Sequence, residues 1–255
     1  MDFGLIGEKL GHSFSKDIHE KIAPYTYELK EIAPDDVDAF MKEKAFKAIN
    51  VTIPYKQTVI GYLDEISETA REIGAVNVIV NKEGRLCGDN TDFAGICALM
   101  GHAGVTVKGN KTLILGTGGT SKTARYAASF LGASKIINVS RSGKEGAVTY
   151  EEAYVKHSNA QVMINTTPCG MFPKTEGMPV DIEGFPFLKG VIDVVYNPIE
   201  TNLVKAAKKK GIPAEGGLYM LVAQAVYASA MFLGQEAEED KIFEVYDWLL
   251  KEKLS

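Results

Sequence analysis

The stretch KTLILGTGGTSK, residues 111 to 122, constrains the fold more than any other part of the chain. An apolar strand runs into a glycine-rich loop. A helix-forming segment follows, with Ala124, Ala127, Ala128 and Leu131 on one face and Gly132 placed to end it. Glycines in such a loop remove the side chains that would hold phosphates away. The helix N-terminus behind them offers free N–H groups and the positive end of its dipole. The fit to G-x-G-x-x-G is imperfect, because Gly116 and Gly118 match, Gly119 is additional and Ser121 stands where a third glycine would fall. Alone, the loop would also suit an ordinary tight turn.

Its surroundings favour the nucleotide reading. SKIINVS (134–140), QVMINTT (161–167) and GVIDVVY (190–196) are nearly all apolar, as parallel strands buried on both faces tend to be. Helical stretches at 150–157 and 200–210 separate them, and IPAEG supplies a last short strand. This is βαβ order, so the unit that starts near 104–110 is expected to hold a dinucleotide at its glycine loop, with Gly116, Thr117, Gly118, Gly119 and Thr120 around it. The strand after the loop helix ends INVSRSGK (137–144). An acidic side chain there would accept from the ribose 2′-hydroxyl of NAD but repel the 2′-phosphate of NADP. This chain instead has Ser140, Arg141, Ser142 and Lys144, which can donate to and neutralise a phosphate. NADP is therefore the expected cofactor.

The bulk numbers exclude other classes. The chain has 255 residues, 45% of them hydrophobic and 24% charged, with net charge -5. A mild acidic excess argues against a nucleic-acid binder. Three scattered cysteines without a CxxC pair argue against a disulfide framework or a structural zinc, and no metal site is expected. MDFGLIGEKLGHS has no basic region followed by an apolar run, so no signal peptide is expected. The most apolar stretch, 218–234, is short for a membrane span and carries Gln224 and Ser229, which suits a buried helix. The expectation is a cytoplasmic protein, monomer or homodimer, with a small-molecule substrate and no membrane or nucleic-acid partner.

The first hundred residues form a second α/β unit. Strands are expected at 2–7, 25–32 and 47–53, a hairpin at 76–90 turning at Glu83–Gly84, and helices at 15–23 (with Ser15 as N-cap), after Pro34, and from Asn90 to about Ala103. Polar residues crowd its strand ends: GHSFS (11–15), NVTIPYK (50–56), and GDNTD (88–92) with Asn77 before it. Singly, each has an ordinary explanation as a cap or surface residue. Pattern alone leaves open whether the helices at 218–234 and 238–253 pack on this unit or on the nucleotide domain.

Taken in order, HSFS, NVTIPYK, AVNVIV, GDNTD, GTGGTSK, NTTPCGM, DVVYNP and GGLYMLVAQA closely resemble the signature stretches of shikimate dehydrogenases, over nearly the whole chain. The resemblance implies a substrate domain, 1–103 completed by 218–255, and a Rossmann NADP domain between. It implies reversible NADPH-dependent reduction of 3-dehydroshikimate to shikimate. Carried over residue by residue, it makes Ser13 and Ser15 the holders of the substrate carboxylate. Thr52, Lys56, Asn77, Asp92 and Gln224 fall around the ring, Tyr196 near the same pocket, and Gly217 at the nicotinamide. Lys56 and Asp92 match the catalytic pair. Lys16 and Glu20 depart from the proline and asparagine usual after the serine pair, and Tyr219 from a common glycine. The segment after Arg141 lacks a second arginine, with Lys144 as its stand-in. Two other readings are an NAD-using quinate/shikimate dehydrogenase and a catalytically silent NADPH-binding sensor. Arg141 argues against the first, and the presence of both Lys56 and Asp92 against the second.

Overall fold

Strands and helices alternate along the chain, and in the computed structural model they sort into two sheets. The structure describes residues 1–11, 13–144 and 146–253. His12 of the HSFS stretch and the last two residues of the 218–255 segment lie outside that description. The chain divides into one unit of Met1–Ala94 with Val222–Ser255 and a second of Gly95–Leu221.

The first unit contains β1 (Phe3–Gly7), α1 (Ser15–Ile22), β2 (Tyr27–Glu31), α2 (Val37–Glu43), β3 (Ala48–Val51), β4 (Glu65–Ile66), α3 (Glu68–Ile73), β5 (Val78–Lys82) and β6 (Arg85–Asp89). Its six-stranded sheet has the order β2-β1-β3-β5-β6-β4. β1 is parallel to β2 and β3, whereas β5 runs antiparallel to both β3 and β6. The β5–β6 hairpin turns at Glu83 and Gly84, with φ of 54° and 89°, the paired positive values of a type I′ turn. Gly84 takes its value without steric cost, and its N–H donates to Asn81 Oδ1 (2.7 Å). Alternation along the strands fills two faces. Ile49, Ile79 and Leu86 pack with Val37, Phe40 and Met41, while Ala48 and Val78 pack with Leu5, Ala228 and Phe232. β4 and α3 were not foreseen from the sequence, because two strand residues and six helical ones are too few to show a period.

The second unit contains β7 to β11 with their helices. In chain order, α4 (Thr91–His102) leads to β7 (Lys111–Leu115), α5 (Gly119–Phe130), β8 (Lys135–Val139), α6 (Tyr150–Lys156), β9 (Val162–Asn165), β10 (Gly190–Asp193), α7 (Asn202–Lys209) and β11 (Ala214–Glu215). All five strands are parallel, in the order β11-β10-β9-β7-β8. The order reverses between β7 and β9, which places the topological switch point there, as in doubly wound folds. β8 and β11 are the edge strands, and an isolated bridge joins Val139 of β8 to Val148. Leu113, Leu115, Met163, Val191, Leu203 and Val204 form its core.

α8 (Leu218–Leu233) and α9 (Asp240–Lys253) close the chain. Ala228 and Phe232 of α8 join the core of the first unit, and α9 meets α1 through Lys253–Asp17 (2.8 Å) and Lys241 Nζ to Ile22 O (3.2 Å). The joins between units fall inside α4 and α8, at Ala94/Gly95 and Leu221/Val222. Among the described residues no helix is long and apolar enough to cross a membrane.

Two local expectations are corrected. Ser15 is the first helical residue of α1 and not its cap. The preceding Ser13 Oγ accepts from Ser15 N (3.2 Å) instead. α5 begins at Gly119, inside the glycine loop, because the loop's last residues already take helical geometry.

His19 lies wholly inside the first unit, stacked on Tyr27 (ring centroids 4.0 Å, 7°), with Nδ1 2.7 Å from Tyr25 Oη. Burial pushes its pKa down to about 3, partly offset by Asn50. The unfolded chain takes up this proton near the ordinary value of about 6.5, the folded chain only near 3, so stability falls as pH drops through that window. Urea unfolding from pH 6.5 to 4 is expected to show His19→Gln with a slope shallower than the parent by up to about 1.4 kcal/mol per pH unit. Parallel slopes would contradict it.

Candidate active site

β1 and β3 are parallel neighbours, and β5 begins and β6 ends beside the carboxyl end of β3. Four polar segments therefore meet along one rim of the first sheet. Asn77, at the start of β5, ties them together. Its carbonyl accepts from Val51 N (2.8 Å) and from Asn50 Nδ2 (3.2 Å), and its N–H donates to Asp89 O (3.0 Å). Its side-chain oxygen accepts from Thr91 N (2.7 Å), which fixes the start of α4. Asn90 Oδ1 accepts from Phe93 N (3.3 Å), a cap of the kind favoured at helix starts.

This arrangement delivers Asp92, in the first turn of α4, to Lys56. Lys56 Nζ stands 2.5 Å from Asp92 Oδ2, with side chains 19% and 10% exposed. The other carboxylate oxygen accepts from Asn77 Nδ2 (2.9 Å), which also reaches Gln224 Oε1 of α8 at 3.5 Å. Val76 N donates to Lys56 O (2.8 Å), so the lysine's backbone is held as well. Among the described residues Lys56 Nζ bonds Asp92 alone, which leaves ammonium protons for a ligand oxygen. Lys56, Asn77, Asp92 and Gln224, drawn from four separated stretches, form one hydrogen-bonded cluster.

The other nominated residues of this unit stand at the same rim. Ser13 Oγ donates to Ser15 Oγ (2.9 Å) just after β1. Thr52, just after β3, donates its N–H to Ile6 O (2.9 Å). No hydrogen bond among the described residues joins Ser13, Ser15 or Thr52 to the Lys56 cluster. The departures at Lys16 and Glu20 compensate each other: they form an ion pair, and both hold the backbone of Tyr27, Lys16 Nζ at Tyr27 O (2.9 Å) and Glu20 Oε1 at Tyr27 N (3.0 Å).

In the second unit the glycine loop is built from its neighbours. Gly116 has φ of 115°, and a Cβ there would stand 2.6 Å from Thr166 Oγ1, so only glycine fits. Thr166 clamps the loop after β9 to the end of β7 through Leu115 O (2.9 Å from N, 2.6 Å from Oγ1). Ser121 Oγ and Asn138 Nδ2 donate to Gly116 O (2.7 and 3.2 Å), and Arg125 Nη1 holds Asn138 Oδ1 (2.9 Å). A Cβ at Gly118 or Gly119 would meet nothing within 4 Å, so the space before α5 is clear of side chains. Among the described residues the amides of Gly118, Gly119 and Thr120 have no acceptor, and Gly118 caps the helix without a side-chain bond. This cradle fits a dinucleotide pyrophosphate. At the end of β8, Ser140 Oγ accepts from Gly143 N (3.1 Å), and Arg141, Ser142 and Lys144 are exposed. Neither Arg141 nor Lys144 makes an ion pair among the described residues. Tyr196 follows β10, where burial pushes its phenol up, and Gly217 N donates to Val195 O (2.8 Å). Tyr219 stacks on His102 (4.0 Å, 6°). Among the described residues no group of three or more His, Cys, Asp or Glu could hold a metal.

Sequence reasoning did not single out Asn50, Asn138, Asn165 or Asp193. Each is a polar residue within an apolar strand, and that contrast was the available signal.

Residues 5–79 match the family described as the shikimate dehydrogenase substrate binding domain. The shikimate dehydrogenase (NADP(+)) of Clostridium perfringens strain 13 is 35% identical, covering 97% of each chain. The crystal structure of a chorismate mutase/shikimate 5-dehydrogenase fusion protein from Clostridium acetobutylicum superposes with a TM-score of 0.92 at 35% identity, over 99% of this chain and 98% of that one. Shikimate 5-dehydrogenase from Thermus thermophilus, solved with NADP(H) and shikimate, gives 0.86 at 28% identity over 97% and 99%. With a relative above 30% identity along almost its whole length and a matching two-sheet fold, this chain belongs to the shikimate dehydrogenase family.

Proposed function

We propose that this protein is an NADP-dependent shikimate dehydrogenase that reversibly reduces 3-dehydroshikimate to shikimate in aromatic amino acid biosynthesis. The observation that carries the proposal is the largely buried Lys56–Asp92 pair, with Asn77 and Gln224 attached to it at the rim of the first sheet. A silent binder has no use for a proton-transfer pair, and this chain holds both members of one.

NADPH, when bound, supplies the hydride that adds to the substrate's carbonyl carbon. Charge then develops on the carbonyl oxygen, and a positioned donor lowers the barrier by supplying a proton and a positive field. Lys56 is that donor: its ammonium gives the proton to the oxygen, and in the reverse direction its amine takes one from the shikimate hydroxyl. Asp92 holds the amine through one oxygen and is itself oriented by Asn77 through the other, so a ring hydroxyl can bond its remaining lone pairs. Gln224 adds an amide to the same group. Ser13 and Ser15 offer hydroxyls to the substrate carboxylate, and Thr52 and Tyr196 bond further ring oxygens. The domain of 1–103 with 218–255 is assigned the substrate, and that of 104–217 the cofactor.

For the cofactor, the free amides of Gly118, Gly119 and Thr120 and the clear space before α5 support a pyrophosphate. Gly116 and Thr117 shape the approach, and the Gly217 backbone meets the nicotinamide. The cations Arg141 and Lys144, with Ser140 and Ser142, take the 2′-phosphate. Three free cysteines suit the cytoplasm as the compartment, and the protein works as a monomer or homodimer.

Adding 3-dehydroshikimate to protein and NADPH is expected to consume NADPH, with far slower use of NADH; initial rates with shikimate and quinate against NADP and NAD separate this from a quinate enzyme. Lys56→Ala should lower kcat by about 10²–10⁴, the usual worth of a positioned acid–base group. An unchanged kcat removes Lys56 from the chemistry. Arg141→Ala should raise the KM for NADP roughly tenfold or more, since a charged hydrogen bond contributes about 1.5–3 kcal/mol, and leave that for NAD within about twofold. Equal changes for both cofactors would dissociate Arg141 from the 2′-phosphate.

A further inference from the structure

Asp193 ends β10 as the second unit's one fully buried carboxylate among the described residues, and the proposed chemistry does not use it. Three donors converge on it: Asn165 Nδ2 (3.0 Å) and Val195 N (3.1 Å) on Oδ1, and Thr201 Oγ1 (2.7 Å) on Oδ2. Burial pushes its pKa up to about 6, while the same three hydrogen bonds pull it back, so the site is built to hold the ionised form in a dry interior. An ordinary strand end would be filled more cheaply by an apolar residue.

What these donors belong to explains the arrangement. Asn165 ends β9, and its side-chain oxygen accepts from Thr167 N (3.1 Å) and Thr167 Oγ1 (2.7 Å), which shapes the loop after β9. The preceding Thr166 is the residue clamped beneath Gly116. Val195 passes its carbonyl to Gly217 N (2.8 Å), and a Cβ on Gly217 would stand 2.1 Å from Val194 O, so this turn tolerates no widening. Thr201 caps α7, accepting from Val204 N at 3.4 Å. The loops after β9 and β10 also bond each other directly, Phe172 N to Asn197 O (2.9 Å). Cys169, in the first of these loops, is close enough for the Asp193 charge to raise its thiol, after burial as the larger cause. One carboxylate thus fastens the switch-point loop, the Tyr196 turn and the Gly217 backbone.

We infer that Asp193 is a positioning residue that sets the nicotinamide end of the cofactor site, acting through Asn165, Val195 and Thr201 without touching cofactor or substrate. The inference rests on the cofactor assignment above. In Asp193→Asn the amide oxygen still accepts from Asn165 and Val195, and the amide nitrogen faces the Thr201 hydroxyl, which can accept. In Asp193→Ala all three donors lose the carboxylate, and Asn165 Nδ2 keeps only Thr167 O (3.4 Å).

The test combines NADPH binding, followed by nicotinamide fluorescence, with steady-state kinetics and thermal melting of the full chain. Asp193→Ala is expected to raise the NADPH Kd and KM at least tenfold and leave the shikimate KM within about twofold. Asp193→Asn is expected to recover most of that loss while remaining about threefold or more weaker than the parent. Parent-like cofactor constants in both variants overturn the inference. So does a loss shared equally by cofactor KM, shikimate KM and melting temperature, which marks a purely structural role. Should the alanine variant fail to fold, the asparagine variant decides: a parent-like NADPH Kd then overturns the inference. A parent protein that binds NADPH but turns nothing over defeats the dehydrogenase reading and leaves the binding test of Asp193 intact.

Discussion

Lys56 and Asp92 come from different elements of the first unit, yet their charged atoms are 2.5 Å apart with little of either side chain in water. Removing either partner leaves the other desolvated and uncompensated, a cost of about 3–5 kcal/mol for fully buried pairs and less here. The surroundings must therefore hold both. They do so through Asn77, whose main chain joins β3 to β6 and whose side chain fixes Thr91 and Asp92 together. Asn50 and Tyr27 extend the same support inward, Tyr27 Oη donating to Asn50 Oδ1 at 2.7 Å and Asn50 to the Asn77 carbonyl. The mixed sheet follows from this requirement, since an antiparallel β5 brings the start of one strand and the end of another to the rim where β1 and β3 end.

The second unit meets a different demand. A dinucleotide needs bare backbone at the switch point, and bare backbone needs support from below. Gly116 is held by Ser121, Asn138 and Thr166, and the loops after β9 and β10 are held by Asp193. Polar side chains at the ends of apolar strands satisfy loop amides that would otherwise be buried without partners. The two units thus share one device: a buried asparagine or aspartate at a strand end that fixes the neighbouring loops.

Much of this was legible beforehand. The parallel strands showed as apolar runs, the hairpin showed through Glu83–Gly84, and the bare backbone before α5 through the glycines of 116 to 119. The nominated Lys56, Asn77, Asp92 and Gln224 form one cluster, although they are spread over most of the chain. The supporting residues stayed hidden, because Asn50, Asn165 and Asp193 look like breaks in a strand until their partners from other strands are in place. Short elements such as β4 and α3 were missed because their stability comes from packing and not from local pattern.

The sequence by itself determined the class of fold, the glycine loop with its cationic strand end, and the residue types available for proton transfer. These depend on local periodicity and on the chemistry of single side chains. Tertiary structure alone decided which polar groups meet, that Lys16 and Glu20 jointly hold the start of β2, that α4 and α8 run from one unit into the other, and that Asp193 fastens three segments at once. Such facts depend on contacts between residues far apart in the chain, and no periodicity encodes a distance across a sheet.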